Sequence, residues 1–259
     1  MSSDSKQAVP ANARAVRAIL SILLPAGTAV LFGFLVGNIW DPTNVSDQAV
    51  TAVLMSTAAI VSWLLGMRWY GAAGMGLRGG RALTAGLGFA SLLWIIFLIL
   101  RFYFVDIAPS AITDRPPNAG RTYMYLLLFE AFATQLWSYG VIFRSVSDWR
   151  GPITAAVISG IVFGLVAVLL FQESYTNSIA SAFYFIVWGV IYGIIRLRTG
   201  SLLGTVIVQS AQSFTTWIVL TPYPEPNVAQ LNNLYVTAVI AYMIVAWRLW
   251  PKQESDYRI

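Results

Sequence analysis

The sequence has neither cysteine nor histidine, and only 10% of its residues are charged. Without cysteine there is no disulfide framework and no thiolate chemistry. With histidine also missing, the usual protein ligands for zinc, haem or copper are absent, so no zinc site is expected. Carboxylate, carbonyl and amide oxygens remain as ligands for harder ions or for pigment magnesium. The low charge excludes an ordinary soluble domain, in which about a quarter of the residues are charged. No Gly-rich phosphate loop, nucleophile elbow or nucleic-acid motif is present, and no nucleic-acid partner is expected.

What the chain has is apolar residues, 58% of its 259. They fall into runs long enough to cross about 30 Å of hydrocarbon. The runs are Ile19–Trp40, Ala49–Met67, Ala82–Leu100, Thr122–Phe143, Gly151–Gln172, Ser174–Ile195, Thr199–Leu220 and Leu231–Trp247. They are too long for barrel strands and do not alternate apolar with polar. The first is no cleaved signal peptide, because its apolar core is too long and no small-x-small cleavage site ends it. The fold expected is therefore an all-α bundle of eight transmembrane helices. It forms one domain over residues 19–250, between an N-terminal tail at 1–18 and a C-terminal tail at 251–259.

Basic residues orient such a bundle. With the N-terminus in the cytoplasm, that side holds Lys6, Arg14, Arg17, Arg68, Arg78, Arg81, Arg144, Arg150, Arg196, Arg198, Arg248, Lys252 and Arg258. The far side holds Arg101, Arg115 and Arg121, and its loops are acidic. Both termini are thus expected in the cytoplasm of a bacterium, with the chain in its inner membrane. Two far-side loops, Asp106–Arg121 and Thr221–Asn233, are stiffened by prolines and are candidate docking surfaces for another protein.

Three glycine pairs, Gly33/Gly37, Gly160/Gly164 and Gly189/Gly193, each put two small residues on one helix face, the pattern that lets helices approach closely. They serve packing within the bundle or contact with another subunit. Trp40, Trp69, Trp247 and Trp250 lie near span ends, where interfacial anchors belong. Trp63, Trp94, Trp137, Trp188 and Trp217 lie deeper, facing lipid or lining a groove for a flat or polyene ligand. Polar residues inside the membrane are costly and mark function or interhelical glue. Glu130 is followed one turn later by Thr134, then by Gln135; Gln209 and Ser213 share a face of the seventh run, with Gln212 beside them. If the two faces meet, Glu130, Thr134, Gln135, Gln209, Gln212 and Ser213 form a buried polar pocket.

The stretch TQLWSYGVIFRSVSDWRGPITAAVISGIVFGLVAV, followed later by LRTGSLLGTVIVQSAQS and preceded by GMGLRGGR, resembles the CPBP intramembrane metalloproteases, the group of CAAX prenyl proteases and bacteriocin-processing enzymes. The resemblance covers roughly residues 70–216. It implies a motif Glu-Glu-x-x-x-Arg on one helix, Phe-x-x-x-His on the next and His-x-x-x-Asn/Asp on a third. The glutamate would serve as base for a water, and the histidines as metal ligands or oxyanion stabilisers. In this chain the acidic pair falls on Thr134 and Gln135, and the arginine on Tyr139. Phe163 is kept, the histidine after it is Ala167, and the third motif's histidine and partner are Gln209 and Ser213.

From these departures the chain is expected to be a non-catalytic pseudoprotease. It would act as an accessory or scaffold subunit beside other integral membrane proteins, in contact with membrane lipids. Since the family binds prenylated or membrane-embedded peptides, a surviving cavity would suit an isoprenoid-type ligand: a quinone, a carotenoid or a (bacterio)chlorophyll tail. An intramembrane hydrolase centred on Glu130 and a small-solute transporter are the other readings. The topology has its own test: a reporter fused after Gly200 reads cytoplasmic and one fused near Pro116 reads external, and the reverse at either site removes the orientation.

Overall fold

A computed structural model describes residues 10–39, 47–107, 118–170 and 178–258. The helices are α1 (Ala11–Ile39), α2 (Asp47–Trp69), the single turn α3 (Gly71–Gly74), α4 (Arg81–Phe104), α5 (Ala119–Arg150), α6 (Pro152–Leu170), α7 (Ile179–Thr199), α8 (Leu203–Ser213) and α9 (Val228–Leu249). Among the described residues no strand is named, and seven helices are long and apolar enough to span a membrane: α1, α2, α4, α5, α6, α7 and α9.

The seventh sequence run behaves differently from its expectation as a full span. It is divided into α8 and a π-helical segment, Phe214–Val219. The seventeen residues from Leu203 to Val219 cover only about 25 Å at helical rise, short of the hydrocarbon thickness, and the stretch, which carries Gln209, Gln212, Ser213, Thr215 and Thr216, is not among the seven helices long and apolar enough to cross a membrane. The first helix also starts earlier than expected. It begins at Ala11, inside the segment assigned to a tail, and carries Pro25 within it; proline has no N–H for the Ser21 carbonyl four residues before it, and that carbonyl accepts from the Trp137 indole N–H of α5 at 3.0 Å. Spans tolerate a proline when a neighbouring helix takes up the freed carbonyl in this way.

Local signals set the boundaries. Ser178 and Ser181 form a reciprocal capping box at the start of α7, as Asn227 and Gln230 do for α9. Gly200 ends α7 in the left-handed conformation, φ 76°, with its N–H on the carbonyl of Arg196. Pro152 opens α6, where its missing N–H costs nothing.

α5 is the axis of the molecule, and most of its length is enclosed. α1 and α2 pair with each other and pack on it from one side. α6 lies against its C-terminal part, α7 lies against α6, and α9 covers α7 and α4. α8 is held between α4 and α5. Around this core the outer faces are apolar: Leu23, Phe34, Leu169, Phe183 and Ile244 are all more than half exposed. Apolar faces on so many helices suit hydrocarbon rather than water, and the chain is an integral membrane protein in contact with lipid.

α6 and α7 meet almost backbone to backbone. A Cβ added at Gly160 would lie 2.4 Å from the Val190 nitrogen, and one at Gly164 would lie 2.6 Å from the Ile186 Cα. At Gly189 it would lie 2.3 Å from the Gly160 carbonyl oxygen, and at Gly193 2.4 Å from the Ala156 oxygen. These two pairs therefore serve the interior of the bundle. Gly33 faces the Leu54 side chain of α2, while the surroundings of Gly37 lie outside the described residues. In detergent, Gly189→Ala should lower the thermal midpoint, since overpacking of this kind costs about 1–3 kcal/mol. Gly88→Ala, which meets nothing within 4 Å, should leave the midpoint unchanged or raise it. Equal effects at the two glycines would refute the close contact.

Candidate functional site

The polar residues of α5 and α8 face each other. Glu130, Thr134, Gln135 and Ser138 on α5, and Thr205, Gln209, Gln212, Ser213 and Thr216 on or just beyond α8, are all buried. Much of this α5 stretch is wound as π-helix, over Leu126–Ala133 and Leu136–Ile142. Such segments are rare and often sit at functional sites.

The two helices are joined through a chain of amides. The Gln135 side-chain N–H donates to the Gln209 Oε1 at 2.7 Å. The Gln209 Nε2 in turn donates to the backbone carbonyl of Glu130 at 3.0 Å. The Thr205 hydroxyl lies 2.5 Å from the Gln135 Oε1 and 2.8 Å from the Leu202 carbonyl, and its single proton serves one of them at a time. Gln212 donates to the Tyr184 hydroxyl at 2.9 Å. The hydroxyls of Thr134, Ser138 and Thr216 and the Oε1 of Gln212 have no hydrogen-bond partner among the described residues. The site therefore holds polar capacity that the described residues do not fill. Gln212 and Ser213, with Tyr184, Trp188 and Trp217 among others, line a cavity of about 10 Å³, roughly the space for one water centre.

Aromatic rings close the other side of the site. Tyr139 donates its hydroxyl to the Gly189 carbonyl at 2.6 Å, and its ring lies 5.7 Å from that of Phe163. Phe163 meets Trp188 at 5.6 Å, Trp188 meets Tyr184 at 5.7 Å, and Tyr184 stacks on Phe97 at 4.9 Å. Ala167 is fully buried in this cluster. The positions read from the three motifs thus converge from α5, α6 and α8.

Glu130 is the only buried carboxylate among the described residues. No group of three or more Asp, Glu, His or Cys side chains comes together among them. The remaining donors are neutral amides and hydroxyls, which do not fit a zinc ion.

Thr205 was missed in the sequence, although it lies four residues before Gln209 and eight before Ser213, on the same helical stripe. Arg196 was placed among cytoplasmic surface charges but is fully buried. Its Nη2 donates to the Gly74 carbonyl at 3.1 Å, and its guanidinium lies 5.3 Å from the Phe143 ring centroid. Gly76, at φ 85°, makes room for it, since a Cβ there would lie 2.3 Å from the Arg196 Nε. The Leu202 N–H to Gly76 carbonyl bond and the Ser201 hydroxyl to Arg78 carbonyl bond complete the tie between the 71–80 segment and the start of α8.

Residues 117–215 match the family model described as type II CAAX prenyl endopeptidase Rce1-like. No curated protein matches the chain. The matched stretch runs from the start of α5 to just past α8, so it contains every polar residue of the site except Thr216. The match bears out the resemblance to the CPBP group. It also overturns the expectation that the chain is not an enzyme: the matched family is a family of endopeptidases, which points to an enzyme. That expectation rested on residue types at motif positions alone.

The Gln135–Gln209 bond can be measured directly. In a double-mutant cycle of Gln135→Leu and Gln209→Leu, unfolding in detergent should show a coupling of about 0.6 kcal/mol, and no more than about 1.7, the range for polar pairs inside a membrane. Strict additivity would mean that the two amides do not meet.

Proposed function

We propose, on the premise that residues 117–215 place this chain in the CPBP family of CAAX-type membrane endopeptidases, that it is an intramembrane hydrolase acting on a lipidated or membrane-embedded peptide. The observation that carries the proposal is the overlap between the matched segment and the buried polar seam of α5 and α8. In this reading Glu130 is the base. It takes a proton from a water as the water oxygen bonds to the scissile carbonyl carbon, then hands that proton to the leaving amine as the C–N bond breaks. Each of the Gln135 and Gln209 amides keeps a second N–H beyond its bond within the seam, and these are the donors for the developing oxyanion in this reading.

A groove of about 630 Å³ between the starts of α2 and α5 supports an apolar substrate. It is lined by Ala49, Ala52, Met124, Tyr125, Leu128 and Phe129, among others, with Asn118 and Arg121 also on its walls. Its volume is in the range of ligand pockets. Phe129 directly precedes Glu130, so the groove runs along the same helix as the base. An isoprenoid tail fits this lining better than a polar chain does. The distribution of basic residues supports a bacterial cytoplasmic membrane, with both ends of the chain inside.

Purified protein in lipid nanodiscs, given a farnesylated CAAX peptide, should release the C-terminal fragment, as read by mass spectrometry. Glu130→Gln should lower turnover by about a hundredfold or more while the protein keeps its thermal midpoint. No cleavage by the wild type, or equal cleavage by Glu130→Gln, would sink the proposal.

A further inference from the structure

A second cavity lies at the other end of α5. From Glu130 to Arg144 the helix runs fourteen residues, about 21 Å at helical rise. Here the start of α1, the end of α2 and the last turns of α5 meet around a pocket of about 280 Å³, lined by Arg14, Arg17, Tyr70 and Asp148. Arg14 and Arg17 are three apart and share a face of α1. The Arg17 guanidinium lies 5.7 Å from the Trp69 ring centroid. Arg144 lies 5.9 Å from the Tyr70 ring centroid and pairs with Asp148 at 3.1 Å. The Tyr70 hydroxyl is 3.0 Å from the Ser145 Oγ. Burial holds the Tyr70 pKa above its ordinary value of 10, with Asp148, Arg17 and Arg144 all near enough to act on it. The phenol is therefore a neutral donor throughout the physiological range.

Among the described residues that line or flank the pocket, three guanidinium groups stand with one carboxylate, an excess of two positive charges. None of the lining residues is fully buried, so a ligand in the headgroup layer can reach them. Trp69 and Tyr70 are residue types that settle at that layer. Guanidinium forks match phosphate oxygens in geometry as well as charge, and basic pockets between membrane helices are where anionic headgroups bind.

We propose that this pocket binds a phosphate group, with Arg14, Arg17 and Arg144 as its cationic partners and Tyr70 as an added hydrogen-bond donor. The position at the membrane boundary favours a phosphate carried by an anionic lipid over a free one. Asp148 belongs to the pocket as well, holding Arg144 and opposing the anion.

The test is native mass spectrometry of the full chain in mild detergent, titrated separately with phosphatidylglycerol, phosphatidylcholine and inorganic phosphate. One phosphatidylglycerol should be retained where phosphatidylcholine is not. The double variant Arg17→Gln, Arg144→Gln should bind it about thirtyfold more weakly, as expected for two arginines near the surface. Asp148→Asn should bind it about fivefold more tightly, because the opposing charge is gone. That gain cannot come from misfolding. Saturable inorganic phosphate binding that is lost in the double variant would support the site and identify a free anion as its ligand. Equal retention of the two lipids with no phosphate binding would overturn the proposal. Phosphatidylglycerol binding unchanged in both variants would overturn it too.

Discussion

A polar surface inside a membrane has no water to fall back on, and the seam between α5 and α8 is such a surface along much of its length. Each amide there must find its partner in protein, or the group costs more than its hydrogen bond returns. The pairing of Gln135 with Gln209, and of Gln209 with the Glu130 carbonyl, fixes the two helices at one register. The other helices can then be understood as cover. α4 shields α8, α1 and α2 shield α5, and α9 closes over α4 and α7. α1, the least buried of the long helices, is strongly apolar, and α5, the most buried, is the least apolar, as hydrocarbon permits and water would not.

The second constraint is volume. α6 and α7 approach so closely at Gly160 and Gly189 that no side chain fits between them. That approach brings the Gly189 carbonyl within reach of Tyr139. The interior beside the tyrosine is filled by Phe163, Trp188 and Tyr184 rather than by charge. Large rings take up the space, and the hydroxyls find partners at the edges, Tyr139 on Gly189 and Tyr242 on the Leu93 carbonyl. Rigidity in this region thus comes from packing, and the hydrogen-bonding capacity gathers on the α8 side.

Much of this was legible in the sequence. Long apolar runs name membrane helices because the bilayer asks for little else, and six of the eight runs overlap long helices closely. α1 differs mainly at its start, because a helix can extend past the apolar run that marks it. The seventh run differs because it forms a short α-helix continued by a π-helical segment, held between α4 and α5 with Gln209, Gln212 and Thr216 buried there. The two polar faces were readable from spacing, and their meeting could only be posed as a condition, because pairing between helices nearly eighty residues apart leaves no mark on local periodicity. Arg101 and Arg196 looked like loop charges. Each is buried because helix-end carbonyls and tight glycine turns, contributed by distant segments, close over the guanidinium.

The chemistry was the least legible part. Counting acids and histidines treats function as a property of residue types, and the match of residues 117–215 to an endopeptidase family overturned the expectation drawn from that count. A seam of glutamine amides and serine and threonine hydroxyls has no response to pH of its own, since amides and hydroxyls do not titrate in the physiological range. Protonation at the centre then rests on Glu130 alone. A site built this way can position and polarise a substrate at any pH, but it can move a proton through only one group. That makes Glu130 the residue on which a hydrolytic reading stands, and places the burden of orientation on the two glutamines bonded beside it.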